Sequence, residues 1–220
     1  TELASMIFLN RGDHFEARPL PSEAQFSVAF GTAVADYDGD GIEDIFLSQN
    51  FFAMQPQTSR SDAGRGLWLK GDGRAGFVAI EGQKSGVLVY GEQRGAALGD
   101  YDGDGRVDLV ISQNGAETKL YRNTGGSPGL RIRLNGPAGN PKGIGAVLQL
   151  ISENGPGPAR EIHVGNGYWS QDSAVAVMSS RLPAKRVQVR WSWGETVVCE
   201  IPMGAKEIEV KENGKVRVIR

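Results

Sequence analysis

Two stretches of this 220-residue chain gather carboxylates at a fixed spacing. They are Asp36, Asp38, Asp40 and Asp44 in DYDGDGIED, and Asp100, Asp102, Asp104 and Asp108 in DYDGDGRVD. The pattern D-x-D-x-D-G-x-x-D suits a hard cation. Calcium takes six to eight oxygens at about 2.3–2.6 Å, and alternating carboxylates on a curling loop supply them. Gly41 and Gly105 permit the sharp turn, the backbone carbonyls of Ile42 and Arg106 each add an oxygen, and Asp44 and Asp108 close the cage. A solvated turn also favours Asp and Gly. Yet packing four like charges into one small loop costs roughly several kcal/mol unless a cation offsets them, and this chain does it twice. The expectation is two calcium ions, one per loop, in preference to magnesium, because the protein ligands are so numerous. An EF-hand is excluded: its twelfth position needs a bidentate Glu, and this chain has Leu47 and Ile111 there, in strand-like surroundings.

The elements that position these loops recur with them. Gly31–Asn50 and Gly95–Asn114 are offset by 64 residues and agree at 12 of 20 positions. Most differences exchange one apolar residue for another. A weaker echo joins Met6–Phe15, Leu67–Phe77 and Leu120–Gly125, each a strand running into a Gly-bearing turn. One full unit holds four short strands, near Ser27–Ala35, Asp44–Gln49, Leu67–Lys70 and Phe77–Ile80, which is the make-up of a propeller blade. Residues 1–20 supply two strands of one blade, 27–80 a whole blade, and 94–122 three strands of another. These do not add up to a ring of about four to eight blades, so the chain reads as the C-terminal piece of a longer one. It opens on Thr, which suggests processing.

Asn123–Gly129 (NTGGSPG) is a linker by composition. Beyond it the strand candidates are Leu130–Asn135, Ile144–Ile151, Ala159–Val164, Ala174–Met178, Arg186–Trp191, Thr196–Glu200 and Lys206–Lys211, spaced as in a compact sandwich. No stretch has helical periodicity. The fold class is therefore all-β: partial propeller blades of four antiparallel strands over 1–125, then a small β-sandwich-like domain over 126–220. Glycine agrees, since 31 in 220 is about twice the usual share and fits many tight turns.

Phe30-Gly31 followed by DYDGDGIED, with its copy in the second repeat, resembles the FG-GAP (VCBS-type) repeat of integrin-α-like propellers. The copy has Arg94-Gly95 in place of the name-giving dipeptide and keeps every ligand position. In that family the loop binds calcium between the first two strands of a blade. The C-terminal part resembles the ASPIC/UnbV domain through Gly143-Ile144-Gly145-Ala146, Gly165-Asn166-Gly167-Tyr168 with Ser170-Gln171, and VQVRWSWG at Val187–Gly194. It departs in having Trp191-Ser192-Trp193-Gly194 for W-P-x-G, and Ser180-Arg181-Leu182 for Gly-Leu-Gly. That match implies a fold more than an activity.

A net charge of −2 with scattered Lys and Arg offers no footprint for nucleic acid, and no apolar run reaches membrane-spanning length. The single Cys199 excludes an internal disulfide and reads as a buried, inert thiol. Arg11-Gly12-Asp13 reads as a hairpin turn. Gly71–Gly76 matches G-x-G-x-x-G but leads into a strand, so it lacks the helix a dinucleotide needs. Gly125–Gly129 matches G-x-S-x-G, but Pro128 has no N–H for an oxyanion. His14 and His163 are too isolated for a triad or a zinc site. Tyr168 and Trp169, beside Asn166 and Gln171, fit core packing as well as a sugar platform. The insertion Phe51–Gly66, on the face opposite the Asp loops, is expected to pack on the C-terminal domain or contact a partner.

The sequence thus reads as a secreted, periplasmic or cell-surface module for binding or adhesion. Calcium would be structural, and the ligand a protein or a carbohydrate. Its rivals are a saccharide-active enzyme, for which no acid/base pair stands out beyond the Asp loops, and a structural domain that positions an upstream catalytic one.

Overall fold

A computed structural model describes residues 3–220, and nearly all of the regular backbone is strand. Strands β1 (Met6–Asn10) and β2 (Phe15–Pro19) form a hairpin whose turn holds Arg11-Gly12-Asp13, with Gly12 at φ +96°. Strands β3 (Ala29–Ala35), β4 (Asp44–Gln49), β5 (Leu67–Gly71) and β6 (Phe77–Ile80) make a four-stranded antiparallel meander. One helical turn, α1 (Gly82–Ser85), leads to a three-stranded sheet of β7 (Glu92–Gly99), β8 (Asp108–Asn114) and β9 (Lys119–Tyr121).

Strand alternation gives each sheet two faces, and the middle sheet buries both. Ala33, Ala35, Phe46 and Trp68 pack on Ala96, Leu98, Leu109 and Ile111 of the third sheet. Ile45, Leu47, Leu67 and Leu69 turn the other way, onto Leu20, Ala24 and Ile7 of the first. The three sheets therefore stack face to face as successive propeller blades, with the innermost strands β3 and β7 side by side.

The rest of the chain builds two sheets over one core. The first runs β14 (Ala176–Met178), β10 (Leu130–Asn135), β17 (Glu207–Lys211), β18 (Val216–Val218). The second runs β12 (Gly155–Pro156), β11 (Val147–Ser152), β15 (Arg186–Arg190), β16 (Thr196–Glu200), with β13 (Arg160–Glu161) also on β11. Ile132, Leu148, Val187, Val189, Trp191 and Ile208 fill the space between them. This is the expected sandwich, although β10 and β17 pair in parallel. The strand expected at Ala159–Val164 shrinks to two residues, because Gly165 and Gly167 at φ +83° and +81° turn the chain away. Cys199 is buried in this core, where desolvation pushes its thiol pKa up.

The stretch expected to be a linker is a packed strap. Asn123 is buried, its side chain donates to Tyr37 O (2.8 Å), and its Oδ1 accepts the N–H groups of Gly125 and Gly126. Ser127 N donates to Asp38 O and Gly129 N to Gly105 O, both at 2.8 Å, so the strap is stitched to both Asp loops. No helix among the described residues is long and apolar enough to cross a membrane.

Candidate metal centre

Each Asp loop joins the first two strands of a blade: 36–43 links β3 to β4, and 100–107 links β7 to β8. Local hydrogen bonds curl both in the same way. Asp36 Oδ1 accepts Asp40 N (3.0 Å) and its Oδ2 accepts Gly41 N (2.9 Å), while Asp100 does the same with Asp104 N (3.0 Å) and Gly105 N (2.7 Å). Asp40 Oδ1 accepts Ile42 N and Asp104 Oδ1 accepts Arg106 N, each at 2.9 Å. Gly41 and Gly105 sit at φ +83° and +87°, a region that favours glycine, so the sharp turn needs them.

The curl brings carboxylate oxygens together. One oxygen each from Asp36, Asp38 and Asp40 lie within 4.8 Å of one another, as do those of Asp100, Asp102 and Asp108. Oxygens bound to one calcium ion at about 2.3–2.6 Å can be at most about 5 Å apart, so both donor sets fit a hard cation of that size. The remaining acidic positions behave differently. Asp44 accepts Tyr37 N (3.0 Å) and Gly71 N (2.8 Å), and so closes the hairpin onto β5. Asp108 accepts Tyr101 N (3.0 Å) and Asn123 N (2.8 Å) in the same way, yet still reaches its cluster. Asp104 is drawn toward Arg106 (2.9 Å) and Arg122 (3.4 Å). The side chains of Ile42, which is buried, and of Arg106, which donates to Gly126 O, leave only their carbonyls for an ion.

Electrostatics report crowding. Burial pushes Asp44 up to about 6, with Asp38 and Asp36 adding repulsion against the pull of its two N–H donors. Burial also raises Asp36 and Asp108. For Asp104 burial acts upward, but the Arg106 N–H, its guanidinium and Arg122 outweigh it and hold the carboxyl low.

Sequence reasoning missed the cations. Lys70 pairs with both Asp38 and Asp40 (3.0 Å to the latter), while Arg122 pairs with Asp102 (2.5 Å) and Asp104. These two occupy equivalent sites, because Leu69 pairs with Ile45 as Tyr121 pairs with Leu109. Aligning LWLKG with KLYRN would have revealed them. Arg131 gave no such signal: it reaches Asp100 and Glu207 (2.9 Å) from the C-terminal sandwich, and all three side chains are buried.

No family model matches this chain, and no curated protein matches it either.

The other motifs resolve as structure. Gly71–Gly76 is the β5–β6 turn, pinned by Asp72 N donating to Gly76 O. His14 is exposed beside Asp13. His163 borders a cavity of about 70 Å³ between the blades and the sandwich, shared with Asp172, Arg160 and apolar walls such as Val34, Leu98 and Val177. Burial raises the pKa of Asp172, which accepts Leu98 N at 2.7 Å. The insertion folds onto the rim opposite the Asp loops. Asn50 holds Gly64 through two hydrogen bonds, and Phe51 lies 5.9 Å from Phe30, which in turn meets Tyr168 of the C-terminal part at 5.8 Å.

Proposed function

We propose that the chain is a calcium-binding module of an extracellular or cell-envelope binding or adhesion protein, in which calcium is structural. The observation that carries the reading is the doubling of one loop geometry. Two hairpins 64 residues apart converge carboxylates within 4.8 Å by the same hydrogen bonds. Asp36, Asp38 and Asp40, and Asp100, Asp102 and Asp108, would hold the ions, with Asp44, Asp104 and the carbonyls of Ile42 and Arg106 completing them. Bound calcium would neutralise crowded carboxylates and tie each hairpin closed. A cage built almost wholly of protein oxygen leaves little coordination for a substrate, which favours a structural role over a catalytic one. The resemblance to FG-GAP repeats and an ASPIC/UnbV domain supports the same reading, as does the stack of blades. A protein or carbohydrate ligand would meet the blade rim.

Calorimetry on chelator-stripped protein tests this: calcium should bind at two sites per chain. Asp38→Ala should delete one site and Asp102→Ala the other. A folded protein that takes up no calcium would end the proposal.

A further inference from the structure

The first Asp loop meets the later chain mainly through uncharged backbone. Tyr37 O accepts the Asn123 side chain and Asp38 O accepts Ser127 N, both at 2.8 Å. Gly39 and Gly41 leave no room for a side chain there: a Cβ on Gly39 would collide with Ser127 O, and one on Gly41 would stand 2.6 Å from Arg181 N. Both glycines have positive φ, +74° and +83°. The curl that gathers the carboxylates is therefore also the seat on which the strap and the Ser180-Arg181 turn rest. The loop's ionic tie, Glu43 with Arg160, is partly exposed.

The last blade is fastened differently. Gly105 O accepts Gly129 N, but Arg131 also pairs with Asp100, and Arg220 donates to Gly103 O. Leu98 adds two ties to the sandwich, its N–H donating to Asp172 (2.7 Å) and its carbonyl accepting Ser173 N (2.8 Å). A divalent ion in the second loop would oppose the positive charge of Arg131. One in the first loop meets neutral carbonyl ties and opposes none of them.

We infer that calcium in the first loop controls the seam between the middle blade and the sandwich. With the ion the loop stays curled and the strap and the Ser180-Arg181 turn seat on it; without it the seat opens, while the sandwich stays fastened to the last blade. The inference rests on the reading of both loops as calcium sites. The seam can open without unfolding the sandwich, whose core around Ile132, Leu148 and Trp191 draws on no blade residue among those described. The ion shifts this equilibrium because the curled, seated loop binds it better than the open one.

NMR-detected amide exchange on the whole chain, with calcium and with chelator, tests the inference, beside calorimetry that counts bound calcium. The Ser127 amide should exchange about tenfold faster in chelator, the sign of a local opening. Those of Val187 and Val189, on a central strand of the sandwich, should keep their protection. In calcium, Asp38→Ala should expose the Ser127 amide and Asp102→Ala should not. Each variant removes the same turn bond, from Asp40 N or Asp104 N, and leaves the carbonyl of residue 38 in place. Calcium uptake with Ser127 exchange unchanged would overturn the inference and leave the calcium reading standing. Protection lost equally at Val187 and Val189, or an equal response to both variants, would do the same. No uptake at all would remove the calcium reading, and the inference with it.

Discussion

The two Asp loops share their motif and their curl, yet they meet different neighbours. The first is faced by a single ammonium, Lys70, carried by its own blade and about 41% exposed. The second is faced by Arg106, Arg122 and, from the sandwich, Arg131. Their ties to the C-terminal part differ as well. Glu43 in the first loop pairs with Arg160, both partly exposed. Asp100 in the second pairs with Arg131 inside a network in which Glu207 also holds Arg133 and Arg220. Arg220 donates to Gly103 O at 2.5 Å. A nine-residue motif thus fixes the curl of the loop, whereas residues far along the chain set the charge its carboxylates feel.

The largest difference should appear without metal. Arg131→Ala strands Asp100 in a buried site and removes one of the cations around Glu207, and should destabilise the protein by about 3–5 kcal/mol in urea titrations. Lys70→Ala, on an exposed pair, should cost about 0–1 kcal/mol. Equal losses would remove the distinction between the loops.

Calcium should separate them next. Each occupied site adds RT ln(1 + [L]/Kd), about 2.7 kcal/mol at a hundredfold excess over Kd. The first loop, opposed by fewer cations, should be the tighter site, so Asp38→Ala should erase the stronger of two calorimetric phases and Asp102→Ala the weaker. The reverse assignment would show that counter-charge does not rank them.

Acid should loosen the second loop's tie to the sandwich. Burial pushes Glu207 upward, but hydrogen bonds from Arg133 and Arg131 prevail and hold it below its usual 4.5. A carboxyl lowered by folding contributes stability above its unfolded pKa and loses it as pH falls through the folded value. Stability followed by tryptophan fluorescence should therefore decline below about pH 4.5, and Glu207→Gln should flatten that part of the profile. The smallest effect is expected for Arg122→Ala, on an exposed side chain. It should tighten calcium at the second loop several-fold and leave the first unchanged, and any change at the first would argue for long-range coupling.

Much of this was written locally. A doubled nine-residue pattern announces its hairpins because Asp and Gly act on their own backbone, and period-two alternation marks most strands of both parts. The strap at 123–129 was illegible as structure, because Gly and Ser look the same whether solvated or packed. Its order comes from Asn123 reaching Tyr37, which is 86 residues away. The role of the insertion was only half visible: its apolar Phe51 was plain, but the rings it joins come from β3 and from the C-terminal part.

By itself, then, the sequence determined the all-β character, the blade repeat and the local curl of both Asp loops, since each rests on contacts within one hairpin or on a repeat of it. Tertiary structure alone decided that β10 and β17 run parallel, that the sandwich docks on the Asp-loop rim, and that Arg131 is buried against Asp100. Those outcomes depend on pairing residues tens of positions apart. That choice is made by burying surface and matching charge in three dimensions, and no local pattern encodes it.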